Sequence, residues 1–178
     1  ADRTLEPGTT AAIGIRFQAD PSWHLYWQNP GEPGLPPTVR TWRLPEGFTV
    51  AEDFQWPAPG LFRMQGLVNH VYKGEWILPL ELEVPPDAEP GPVTIEAELG
   101  WLACDDQRCV PGEASLAMEI KVASSPARPD PRWAELFAAS WDRMPTPARP
   151  GQVRARLDGD GEKTLRLRID GLAPENEK

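Results

Sequence analysis

Val93-Thr94-Ile95-Glu96-Ala97-Glu98-Leu99, running on to Leu102, alternates apolar with polar residues, and Leu116-Ala117-Met118-Glu119-Ile120-Lys121-Val122 repeats the pattern within Ser115–Val122. Successive side chains of a strand point to opposite faces, so this alternation is the signature of half-buried β-structure. Upstream, Thr10–Gln18 places Ile13, Ile15 and Phe17 on one face, and Trp23–Gln28, Thr38–Leu44 and Phe48–Phe54 read as further short strands. Gln55-Trp56-Pro57-Ala58-Pro59-Gly60 leads into a predicted loop through Leu61–Gly66, and strands follow at Leu67–Tyr72 and Trp76–Val84. Pro79 inside the last of these calls for an edge or a bulge, because proline gives no donor to a ladder.

Composition agrees. Of 178 residues, 22 are Pro and 15 are Gly, a density that long helices cannot survive but short strands joined by turns can. Eight Trp give those strands heavy apolar anchors. Strands at roughly 8–12-residue spacing predict an all-β sandwich or barrel of the immunoglobulin-like kind, and the sandwich is the fold expected here. No apolar run approaches the ~20 residues a membrane helix needs.

The net charge of −9 sits almost entirely in residues 1–126, which hold 8 basic and 18 acidic residues, against 10 basic and 9 acidic in 127–178. An acidic body speaks against nucleic acid, whose phosphates need clustered Lys and Arg. The shift in character places a domain boundary at 126/127. Beyond it, Asp130 is the expected N-cap and Pro131 the first position of a short helix carrying Trp133, Leu136, Phe137, Ser140, Trp141 and Met144, stopped by Pro145. The Trp133/Phe137/Trp141 stripe reads as a packing face. Gln152–Leu157 and Thr164–Ile169 then predict a hairpin around Gly159-Asp160-Gly161, with apolar residues on one face and arginines on the other. A lone hairpin needs more sheet to cover it, so 127–178 reads as a linker helix plus the truncated start of a second β domain.

The chemistry concentrates at Cys104-Asp105-Asp106-Gln107-Arg108-Cys109. Four intervening residues let the two Cα atoms reach the ~5.5–6 Å separation of a disulfide. In the chain-entropy model so small a loop gives only about 2 kcal/mol, against ~4.7 for a 100-residue loop. Such a bond is a weak staple and a convenient redox switch; spacing alone leaves both readings, and unpaired thiols, open. Asp105 and Asp106 raise thiol pKa values and Arg108 lowers them, so reactivity has no sign from sequence.

The segment Cys104–Cys109 followed by Val110-Pro111-Gly112-Glu113 resembles the N-terminal periplasmic domain of the DsbD/ScsB family of membrane thiol:disulfide reductases. Trp23-His24-Leu25-Tyr26-Trp27-Gln28-Asn29-Pro30-Gly31, continuing through Gly34-Leu35-Pro36-Pro37, is similar to the family's second strand and turn. Phe54-Gln55-Trp56-Pro57-Ala58-Pro59, Gly66-Leu67-Val68-Asn69 and Tyr72 match as well, in family order, so the likeness spans roughly residues 10–122. It is nearer the copper-sensitivity-suppressor branch than enterobacterial DsbD, whose cysteines lie one residue further apart.

The resemblance implies a periplasmic, immunoglobulin-like domain whose cysteines cycle between dithiol and disulfide. Electrons would arrive through a transmembrane domain and a C-terminal thioredoxin-like domain of the full-length protein, and leave to periplasmic thioredoxin-fold partners. Cys109 matches the sulfur that forms mixed disulfides, and Cys104 the resolving one. The family shields the pair with an aromatic cap; the matching stretch Leu61–Gly66 offers Phe62 or Met64, though without the family's acidic-aromatic pattern. His24 and Tyr26 share one strand face and are the expected site-lining residues, against a bland reading as a solvated His and a core aromatic. His70 lies on another strand and reads as structural.

No cofactor or metal is assigned. Soft sulfur suits Cu(I), but the close Met/His/Cys spacing of a copper carrier is missing. Asp158-Gly159-Asp160-Gly161-Glu162 lacks the remaining ligands of a calcium loop. The reading from a different class is a non-catalytic immunoglobulin-like interaction module with a structural bridge.

Overall fold

The computed structural model describes residues 4–31, 34–51, 53–64, 66–124, 130–147, 154–159 and 165–170, with backbone alone at Met64 and in the last two segments. In chain order the strands are β1 (Thr4–Leu5), β2 (Thr10–Gln18), β3 (His24–Tyr26), β4 (Thr38–Arg43), β5 (Thr49–Val50), β6 (Gly60–Met64), β7 (Leu67–Lys73), β8 (Glu75–Glu83), β9 (Gly91–Cys104) and β10 (Cys109–Val122). A helix α1 (Ala134–Trp141) and strands β11 (Arg154–Gly159) and β12 (Leu165–Asp170) follow. They fall into two compact units, Ala1–Met144 and Pro145–Lys178.

The first unit is the expected sandwich. One sheet runs β1-β10-β9-β3-β7-β6, with β4 also paired to β9; the other runs β2-β8-β5. Ile15 and Phe17 of β2 and Trp76, Leu78 and Leu80 of β8 meet Leu25, Tyr72, Ala97 and Leu99 from the larger sheet in one buried cluster. A second cluster, with Leu5, Phe48, Leu82, Ile95, Ile120 and Val122, extends the core towards the other end. The period-two pattern is what allows this: each strand gives the core every other residue.

Pro79 of β8 and Pro111 of β10 sit where no described strand pairs with the side their missing N–H would face. Pro79 pairs with Gly14 in an unbroken β2–β8 register, so there is no bulge. Its carbonyl accepts from the Gln55 amide (2.8 Å) on the other side, where Glu81 likewise accepts from Ala51 (3.1 Å) and Ile77 from the Ser140 hydroxyl (2.9 Å). The absent Pro79 N–H therefore faces an edge covered by loop and helix. Pro111 of β10 is equivalent. Asp105 N–H donates to the Arg108 carbonyl (2.9 Å), which makes 105/108 a hydrogen-bonded pair. By alternation the Cys104/Cys109 and Leu102/Pro111 pairs are not hydrogen-bonded, so Pro111 turns its missing donor outward. Among the described residues, β1 covers that outer edge only at Lys121 and Val122.

Three expectations need correction. Leu61–Gly66 is not a loop: Gly60–Met64 is a strand in antiparallel register with β7, from Gly60↔Val71 to Met64↔Leu67. Leu61, Phe62 and Met64 interrupted only by Arg63 hide the alternation, while Gly66, at φ +83°, supplies the left-handed turn residue. The strand expected over Phe48–Phe54 shrinks to Thr49–Val50, and the chain beyond it bonds to β8 through single amides. The helix begins at Ala134, not Pro131, because Asp130 closes a turn instead, accepting from the Arg132 amide (3.1 Å). It ends at Trp141 before Met144, and its buried contact is Ser140, while Trp141 is 39% exposed.

In the second unit, β11 and β12 pair antiparallel, with Leu157 opposite Leu167, Ala155 opposite Ile169 and Arg156 opposite Arg168. Val153 and the expected turn residues Asp160-Gly161 lie outside the described residues.

Leu78 is fully buried between the sheets. Leu78→Ala should lower unfolding stability by about 2–5 kcal/mol, the usual cost of a core cavity, read from urea denaturation followed by Trp fluorescence.

Candidate functional site

Parity along the strands creates a third, smaller buried cluster. Leu25, Tyr72 and Leu99 point into the sandwich. Their neighbours in sequence or register, His24, Tyr26, Val71 and Cys104, point to the outer face of the same sheet. There Tyr26, Val71 and Cys104 form a cluster with Phe62 and Leu102 packed against it.

Cys104 ends β9 and Cys109 begins β10; they are register partners and are bonded by a disulfide with a Cα separation of 4.1 Å. That separation is shorter than the ~5.5–6 Å mode for disulfides and close to the ~4.5 Å of a non-hydrogen-bonded strand pair. The turn between them is tied by Asp105, whose carboxylate accepts from the amides of Gln107 and Arg108, both at 2.8 Å. Those two hydrogen bonds hold its pKa below the ordinary carboxylate value. The bond is asymmetric in exposure: Cys104 is 2% exposed, whereas Cys109 and Val110 are exposed.

Across β9 from Cys109, Cys104 pairs with His24, and His24 pairs in turn with Lys73. Cys109, Cys104, His24 and Lys73 therefore form one row over four strands, with side chains on one face. His24 is 1% exposed, and its Nδ1 is buried without a hydrogen-bond partner. Its ring lies 5.3 Å from Tyr26 and 4.6 Å from Phe62, centroid to centroid. Lys73 Nζ sits 4.3 Å from the Phe62 ring centroid. Burial, then Lys73, lowers the His24 pKa from its usual 6.5, opposed by Asp106 and Asp105. Burial raises the Tyr26 phenol. At the rim, Arg108 stacks over Trp23 at 5.5 Å.

Of the residues singled out from sequence, Cys104, Cys109, His24, Tyr26 and Phe62 come together here. The side chain of Met64 lies outside the described residues. The bland reading of His24 as solvated is corrected: Phe62 and Tyr26 cover it. Tyr26 in turn is seated by Gly34, where any Cβ would overlap its ring. His70 is apart, its Nδ1 3.0 Å from the Asn29 carbonyl oxygen and its ring against Trp27. Sequence reading missed Lys73, which it left between two predicted strands, and the Trp23–Arg108 pair; neither carries a local signal, because both depend on strand register. Among the described residues, no group of three or more His, Cys, Asp or Glu is arranged to hold a metal, and no helix is long and apolar enough to cross a membrane.

A search of curated proteins finds no match. Among solved structures, the N-terminal periplasmic domain of ScsB from Proteus mirabilis is similar, with a TM-score of 0.57 and 20% identity over 92% of this chain and 74% of that one. At that identity the likeness speaks for the fold. The family model described as thiol:disulfide interchange protein DsbD, N-terminal, matches residues 2–120, from before β1 to near the end of β10. With well over half of its length matched and a disulfide closing the tip of its central hairpin, the chain belongs to the family of DsbD N-terminal thiol:disulfide interchange domains.

Proposed function

We propose that residues 1–126 are a periplasmic exchange domain that takes electrons from a membrane-embedded reductase, through its transmembrane and C-terminal thioredoxin-like domains, and passes them to thioredoxin-fold partners. The hairpin beyond α1 is read as the beginning of a further β domain. The observation that carries the exchange reading is the unequal exposure of the two sulfurs. An incoming thiolate reaches Cys109 but not Cys104, so attack gives a mixed disulfide at Cys109 and expels Cys104 with the bond's electron pair. A second thiol of the donor then releases Cys109, leaving the dithiol here and a disulfide on the donor. The same steps in reverse reduce a partner.

The competing structural reading is weakened by the ladder itself. β9 and β10 pair over fourteen residues each, ending at the two cysteines, so their ends are already adjacent without the bond. The ~2 kcal/mol that a small loop contributes in the chain-entropy model is thereby reduced, since pairing has already closed it. Phe62 is read as the cap over the buried sulfur, with Tyr26 and His24 as its lining.

Three outcomes follow. Cys109→Ser should abolish electron transfer to a thioredoxin-fold protein, while Cys104→Ser should accumulate mixed disulfides visible on non-reducing gels. Redox titration against glutathione or dithiothreitol should give a potential above about −300 mV; a value far below marks an inert structural bond and defeats the exchange reading. Phe62→Ala should speed reduction of the disulfide by dithiothreitol about three- to tenfold by opening access, read by thiol trapping and mass spectrometry.

A further inference from the structure

We propose that His24 is the acid–base partner of Cys104: its imidazole takes the Cys104 Sγ proton as the disulfide closes and returns it as the disulfide opens. This rests on the exchange reading above and adds to it the group that makes the buried sulfur reactive.

The need arises from burial. A thiol sealed among Tyr26, Val71, Phe62 and Leu102 holds its proton more tightly than one in water, and only the thiolate attacks. Cys104 cannot rely on solvent at 2% exposure. Besides the cysteines, Tyr26, Asp105, Asp106, Lys73 and His24 are the ionisable side chains weighed at this row. Tyr26 is held protonated, its phenol raised by burial. The Asp105 carboxylate is occupied by the two amides of its turn. Asp106 and Lys73 act on the imidazole through charge, in opposite directions. That leaves His24, the cross-strand neighbour of Cys104 on the same face, buried with an unpartnered ring nitrogen. An unsatisfied buried nitrogen is costly, and a partner that exists only in the dithiol state accounts for keeping one.

The step balances. In the mixed disulfide, Cys104 Sγ attacks Cys109 Sγ; the Cys104–Cys109 bond forms and the Cys109–partner bond breaks. The partner sulfur leaves as thiolate with the electron pair, so the partner is reduced and the cysteine pair oxidised. The proton passes from Cys104 to the imidazole within the bond-making step; the imidazolium, disfavoured by burial and by Lys73, loses it to solvent only afterwards, by local opening once the partner has departed. The same two influences keep the imidazole neutral, and so able to accept, at neutral pH.

The test uses the reduced full chain and 5,5′-dithiobis(2-nitrobenzoate). The first thionitrobenzoate released reports attack by Cys109, and the second reports closure by Cys104, followed at 412 nm in stopped flow across pH. Closure by the wild type should fall on acidification through a limb below pH 6.5, where the imidazole protonates. His24→Gln should lose that limb and close about a hundredfold more slowly, within the usual range for proton transfer by a positioned base. Lys73→Gln, on an exposed residue that leaves folding intact, should move the limb to higher pH, because removing the positive charge raises the imidazole pKa. Equal rates and profiles in wild type and His24→Gln overturn the proposal. If His24→Gln does not fold, Lys73→Gln decides: an unmoved limb overturns it. A wild type that never releases the second equivalent defeats the exchange reading itself, a result distinct from the other two.

Discussion

A pleated strand has two faces, and β3, β7 and β9 spend them on different tasks. Leu25, Tyr72 and Leu99 turn inward and hold the sandwich together. His24, Tyr26, Val71 and Cys104 turn outward to a cluster separate from the main core. Because the parity is fixed by the backbone, the position of Cys104 follows from that of Leu99, and the position of His24 from that of Leu25. The core thereby fixes the register of the site. Freedom to change the redox cluster without disturbing the core comes from the same geometry, since substitutions on one face leave the other face's contacts in place.

The second consequence is the cover. An outward-facing cluster on a sheet would ordinarily be wet. Here β6 folds alongside β7 and lays Phe62 over His24, while Gly34 in the turn after β3 lets Tyr26 lie flat against the backbone. Four aromatic or apolar side chains are enough to take Cys104 and a histidine almost wholly out of water, yet they stop short of Cys109. The two bonded sulfurs are thus treated unequally, one sealed and the other open to solvent.

Alternation made most of this fold legible from the residues. It gave the long strands β2, β8, β9 and β10, and it put His24 and Tyr26 on one face. It did not give the row Cys109–Cys104–His24–Lys73, because a period of two assigns faces and not register, and the row depends on two pairings between residues far apart in the chain, Cys104 with His24 and His24 with Lys73. Nor did it find β6, where Leu61, Phe62 and Met64 break the pattern and pairing with β7 decides the conformation. Asp130-Pro131 has the chemistry of a helix start, but the Asp130 carboxylate serves a preceding turn and a bond to Arg132 instead. Local signals of this kind name a boundary region, and tertiary contacts such as Ser140 to Ile77 choose the residue.

Pro111 bears on a hazard particular to this architecture. The exposed Cys109 that begins β10 brings with it the exposed backbone beside it, and an open strand edge is a template on which other strands can pair. With no N–H to give at the second residue from Cys109, the edge cannot extend a continuous ladder past that point. The proline thus limits how far a further strand could pair along this edge beside the sulfur.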